Sequence, residues 1–173
     1  MNCGGQQLRL NCRRTAGIRT RGGAGFTMME VLVTVAIAAI LAALAAPSFS
    51  DLIASQRAKA VASELYVALL RARSEAVTRN ANVTLSPKAG GWQNGWQILD
   101  PTNAARVLED RGATSNAAIN TASSGVTFQG SGRVQGVSAP TFVIATAGGS
   151  AVKYQCVSVE LSGRPYMKSG SSC

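Results

Sequence analysis

The sequence predicts an α+β chain: a long N-terminal helix followed by an antiparallel β-rich domain. Three observations carry this. No residue from Val31 to Ser50 is charged, and Val, Leu, Ile and Ala dominate up to Ala46. Past Pro47, the apolar residues Leu52, Ile53, Val61, Leu65, Ala68, Leu69, Ala72, Ala76 and Val77 recur at spacings of three and four. That is the stripe of an amphipathic helix. Beyond Asn80 the texture changes to short β-prone runs separated by Gly, Ser, Asn and Pro, the pattern of strands and turns.

The uncharged run comprises twenty residues. At about 1.5 Å per residue it spans roughly 30 Å, the thickness of a bilayer's hydrocarbon core. Ahead of it, residues 1–25 hold Arg9, Arg13, Arg14, Arg19 and Arg21 and no acid. The whole chain of 173 residues carries a formal charge of +9. Without the leader, twelve basic and eight acidic residues leave +4, so much of the basicity is a topology signal. Five arginines before the span and Asp51 shortly after it place the N-terminus in the cytoplasm by the positive-inside rule, and the bulk of the chain in the periplasm. Cys3 and Cys12 fall in the leader, whereas Cys156 and Cys173 fall in the exported part. There disulfides persist, and a bridge between these two competes with a reading of two free thiols.

The helix is expected from about Phe26 to Arg79, bent or loosened near Pro47, because an internal proline removes one backbone hydrogen bond. Its striped second half is expected to serve as the face on which a sheet folds. The candidate strands are Val83–Ser86, Trp96–Leu99, Arg106–Glu109, Val126–Gln129, Thr141–Ala145, Tyr154–Leu161 and Arg164–Met167. Ser162-Gly163 reads as a tight hairpin turn between the last two. Ala113–Ser124 is small and polar and reads as a loop.

Glu30 lies directly against the apolar run, in Gly25-Phe26-Thr27-Met28-Met29-Glu30. A carboxylate at the edge of a membrane segment costs about 2–3 kcal/mol on insertion scales and marks function by default. The stretch GFTMMEVLVTVAIAAILAALAAPSF resembles the processing site and first helix of type IV pilins and type II secretion pseudopilins. The resemblance implies cleavage between Gly25 and Phe26 by a prepilin peptidase and N-methylation of Phe26. Glu30 then becomes the fifth residue, and Pro47 takes the place of a helix-bending proline. ARSEAVTRNANVTL, Gly95-Trp96 and Cys156…Ser162-Gly163-Arg164…Cys173 are similar to the GspH/FimT (FimU) branch of minor pilins. A pilin-like fold follows: a helix with a transmembrane half and an amphipathic half, the latter packed against a β-sandwich-like domain. The implied divisions are a removed leader (1–25), a transmembrane helix (26–49), its amphipathic continuation (50–80) and a periplasmic β-rich domain (81–173). The implied partners are the peptidase, other pilins in a helical filament, and the inner membrane.

In that family setting Glu30 would neutralise the Phe26 ammonium of a neighbour and set the register of stacked helices. The alternative role is local, a carboxylate favouring the helix N-terminus. An ordinary signal peptide, cleaved near Ala45 or Ala46 to release a soluble domain, is the competing reading of the whole segment.

The chain contains no histidine, which excludes Ser-His-Asp and Cys-His catalysis and histidine-containing zinc sites. Its acids form no obvious catalytic pair, and residues 130–136, GSGRVQG, fit neither a P-loop nor a dinucleotide fingerprint and read as a turn. An enzyme, a cofactor and a metal are not expected. FimT-like pilins include DNA receptors with a Gly-Arg-x-Arg hairpin, and this chain has Gly163-Arg164-Pro165-Tyr166. Arg164, Lys168 and Lys153 as phosphate contacts and Tyr166 as a stacking platform form a candidate DNA face. A solvated basic face is the alternative. The motifs do not separate a pilus from a secretion pseudopilus.

Overall fold

The computed structural model describes residues 25–173; the arginines and cysteines of the leader lie outside the described residues. Two compact units divide the chain, one ending at Ala38 and the other running from Ala39 to Cys173.

Helix α1 runs from Met28 to Arg79 without interruption at Pro47. It starts two residues later than expected because Thr27 serves as its N-cap. The Thr27 hydroxyl accepts from the Glu30 amide at 3.2 Å, satisfying one of the donors a helix start leaves free. The helix ends where expected. Asn80 adopts a positive φ of 47°, the Ala81 amide reaches the Ala76 carbonyl at 3.1 Å, and the Asn80 amide reaches Val77 at 3.3 Å. This is a Schellman closure, with asparagine in the left-handed position usually held by glycine.

Two antiparallel four-stranded sheets follow. The first has the order β3-β2-β1-β5, with β1 Val83–Pro87, β2 Trp96–Asp100, β3 Asn103–Arg111 and β5 Val126–Phe128. The second has the order β4-β6-β7-β8, with β4 Ala118–Asn120, β6 Thr141–Ala147, β7 Val152–Val159 and β8 Pro165–Ser169. All seven expected strands are present, and the eighth, β4, lies inside the segment expected to be a loop. Its three residues carry one buried side chain, Ile119, and pairing with β6 supplies the partner that its own propensity does not reveal.

The core lies between the second half of α1 and both sheets. Val61, Ala62, Leu65, Ala68, Leu69, Ala72 and Ala76 are buried against Val83, Leu85, Trp96, Ile98, Phe128, Phe142, Ile144, Val157 and Val159. The alanines at four of these seven helix positions leave room for bulky strand side chains. The stripe is therefore a sheet-packing face. Trp92, in a short 3-10 turn, meets Phe142 edge to face at 4.7 Å and ties the first sheet's connections to the second sheet. The polar flank of α1 is fastened to β3 by Arg71 to Glu109 at 3.4 Å and Glu64 to Arg111 at 2.6 Å.

Candidate functional site

Three regions bear on function: the start of α1, the point where its apolar run ends, and the C-terminal hairpin.

At the start, Gly25 and Phe26 precede the helix and Glu30 occupies its first turn. A Cβ added at Gly25 would meet nothing within 4 Å. Nothing in the fold therefore requires glycine there. Every described side chain from Phe26 to Phe49 is exposed, Leu32 by 65% and Ile40 by 63%. Exposed apolar area on this scale is unfavourable in water and calls for lipid or other helices around it. Among the described residues, this helix is long and apolar enough to cross a membrane.

Just past the uncharged run stands Asp51. Its carboxylate accepts from the Ser150 amide at 3.0 Å and from the Ser150 hydroxyl, and it faces the Lys153 ammonium at 3.3 Å. The Ser150 hydroxyl and amide, then Lys153, hold this carboxyl well below the usual carboxylate range. Three residues further along α1, the Ala54 carbonyl accepts from the Thr146 hydroxyl at 2.8 Å. Together these bonds seat the β6–β7 hairpin on α1. A Cβ at Gly148 would come within 2.6 Å of the Ala151 carbonyl oxygen and also crowd Asp51 Oδ1, so glycine at this hairpin tip allows the close approach. Sequence reasoning used Asp51 only as a topology marker and did not find this clamp. Ser150 lies 99 residues away and Lys153 beyond it, and no local pattern joins them to Asp51.

The C-terminal hairpin joins β7 to β8, with Val159 opposite Pro165. The turn is wider than the expected two-residue connection: the Glu160 amide bonds to the Arg164 carbonyl at 3.0 Å and the Gly163 amide to the Glu160 carbonyl at 2.8 Å. Gly163 has φ 85°, and a Cβ there would lie 1.8 Å from the Gly132 carbonyl oxygen. That same oxygen accepts from Arg73 Nε at 3.0 Å. The turn at 129–133 is closed by Gly132 to Gln129 at 2.7 Å, as expected for the glycine-rich segment. The Cys156–Cys173 disulfide is formed, with Cα atoms 5.6 Å apart. It folds the tail back over β7.

The candidate DNA residues do not come together. On β7, Val157 points into the core, and strand alternation puts Lys153 on that same face. Cys156 and Ser158 point the other way, opposite Lys168 and Tyr166. Lys153 is thus on the opposite face of the sheet and engaged with Asp51. Lys168 donates to the Cys173 carbonyl at 2.8 Å. Arg164 is exposed in the turn. The candidate face is reduced to Arg164, Tyr166 and Lys168.

The family described as Type II transport protein GspH matches residues 61–163, more than half of the chain. The chain belongs to the GspH family. A second family description, the prokaryotic N-terminal methylation motif, matches residues 21–46. The chain is accordingly a minor pilin or pseudopilin, with its methylation motif around Phe26 and its GspH region on the helix and both sheets. Two crystal structures of the type IV minor pilin FimU from Pseudomonas aeruginosa (strain PAO1) share the fold. One is 22% identical with a TM-score of 0.56, covering 68% of this chain and 96% of that one. The other is 23% identical with a TM-score of 0.53, covering 66% and 98%. No curated protein matches.

Proposed function

We propose that a prepilin peptidase cleaves this GspH-family chain between Gly25 and Phe26 and methylates the new N-terminus. The remaining chain then waits in the inner membrane, N-terminus cytoplasmic and domain periplasmic, until it joins a filament with other pilins. The carrying observation is the bare apolar stretch from Phe26 to Phe49, every described side chain of which is exposed. The steric freedom at Gly25 agrees with a glycine kept for a peptidase.

Glu30, one helical turn inside the new terminus, is the anion for a neighbour's Phe26 ammonium. In a low-dielectric surround such a pair recovers much of the cost of placing either charge there, and so fixes the stagger between helices. The alanines between Ala36 and Ala46 allow close helix approach. Pro47 lies within an unbroken helix, where its missing amide makes a local site for bending during assembly. The subunit works by packing, with ATP-driven assembly supplied elsewhere. The fold shared with the type IV minor pilin FimU supports a type IV pilus, and the description as a type II transport protein supports a secretion pseudopilus. Both filaments use the same stem.

Two substitutions test this. Gly25→Ala should leave an unshortened precursor on a gel; normal shortening would refute the processing step. Glu30→Ala should be processed but should reach sheared filaments at a level at least tenfold lower, read by immunoblot. Undiminished incorporation would remove the register role.

A further inference from the structure

We infer that Arg57 and Lys59 form a basic belt that binds the headgroup phosphates of anionic phospholipids on the periplasmic side of the membrane. This rests on the membrane-anchored reading above, since it takes Val31–Ser50 as the span. Arg57 and Lys59 then follow the end of the span by about 10 and 13 Å of helix. Helical side chains lean toward the N-terminus, here toward the bilayer. Long cationic side chains can extend their charge along such a direction to the headgroup layer.

Three features of the structure favour this occupant. First, neither cation has an ion pair or hydrogen-bond partner among the described residues. Six of the seven acids beyond the span (Asp51, Glu64, Glu75, Asp100, Glu109 and Asp110) are paired with other cations. Second, the acid nearest the bilayer, Asp51, is neutralised by Lys153. With Asp51 paired, Arg57 and Lys59 leave residues 51–63 of the helix with two uncompensated positive charges, complementary to phosphate. Third, the pair flanks the outward face of α1. Arg57 lies one turn beyond the exposed Ile53 and Lys59 two turns beyond the exposed Leu52, whereas Ala54 and Ala58 face the core. Leu52 and Ile53 continue the apolar surface from the span, and the two cations end it. Apolar surface followed by paired cations suits an acyl-to-headgroup boundary.

The belt would hold the waiting subunit with its domain against the bilayer and would release lipid when the helix leaves the membrane. The test is native mass spectrometry of the processed full chain released from nanodiscs of equimolar phosphatidylcholine and phosphatidylglycerol. Each cation near an anionic surface should favour the charged lipid about fivefold, so the pair should give a preference of roughly 25-fold. Arg57→Gln with Lys59→Gln should abolish it, while Arg133→Gln with Arg164→Gln, two exposed cations that likewise lack carboxylate partners, should leave it intact. Equal loss in both double variants, or no preference in the parent, overturns the inference. Displacement of the lipid by free glycerol phosphate overturns the headgroup assignment in favour of a soluble ligand. Failure of the chain to enter even neutral nanodiscs refutes the anchored reading and the belt with it; entry without lipid preference refutes the belt alone.

Discussion

Single side chains decide whether the hairpins of this domain seat on the helix. At Gly163 the backbone is left-handed and the Gly132 carbonyl oxygen fills the space a Cβ would need. Gly163→Ala therefore combines an unfavourable φ with a backbone clash, and should lower unfolding free energy by about 2–4 kcal/mol in urea titration. Asp51 is the other decisive residue. Its folded pKa lies below the unfolded value, with Ser150 as the first cause and Lys153 after it. The clamp's contribution is thus fully present above about pH 4, the ordinary carboxylate range, and is lost as pH falls through and below it. Asp100 shifts in the same direction through the Thr102 hydroxyl and amide, then Arg79 and Arg106. Thermal denaturation from pH 7 to pH 2 should show Asp51→Asn less stable than the parent at neutral pH, with the difference shrinking in acid. A constant difference across the range would mean that the carboxylate charge is not what the hairpin uses. Of these residues the sequence marked Gly163 as a turn and Asp51 as a charge past the span. It assigned Lys153 to the wrong surface, because a strand's facing depends on register with β6 and β8.

Elements were more legible than contacts. The helix is written in its spacing, and its C-terminal stop falls at Asn80 where β-prone residues begin. Seven strands announce themselves because alternating apolar residues sit between turn formers. β4 does not, since three residues are too few to show a period and its stability comes from the neighbouring β6. The C-terminal tail is held by a covalent tie rather than a strand ladder: Cys173 is bonded to Cys156, 17 residues back. Closing a loop of this length contributes about 3 kcal/mol in the chain-entropy model. Reduction, or Cys156→Ala with Cys173→Ala, should lower the unfolding free energy by that order in urea. The tail should also become accessible to carboxypeptidase. The pairing was read from compartment and even number alone; only the adjacency of β7 to the tail brings the sulfurs together.

At the scale of the molecule, the chain divides by what surrounds its apolar groups. Among the described side chains no core residue precedes Ala54, and every large apolar one from Phe26 to Ile53 is exposed. A chain beginning at Asp51 should therefore fold in water without detergent, with its disulfide and near-ultraviolet circular dichroism intact, whereas the processed full chain should require detergent or lipid. Aggregation of the shortened chain in water would show that the apolar stem contributes to the domain's fold. Hydropathy, the lone Glu30 and the Gly25-Phe26 junction are local, so composition and spacing were enough to yield the stem, the two-part helix and the α+β class. The clamp of Asp51 on the β6–β7 hairpin, the facing of Lys153 and the Arg73–Gly132–Gly163 junction were decided by tertiary structure alone. They join residues tens of positions apart, and only sheet register and the packing of two sheets on one helix bring such residues within bonding distance.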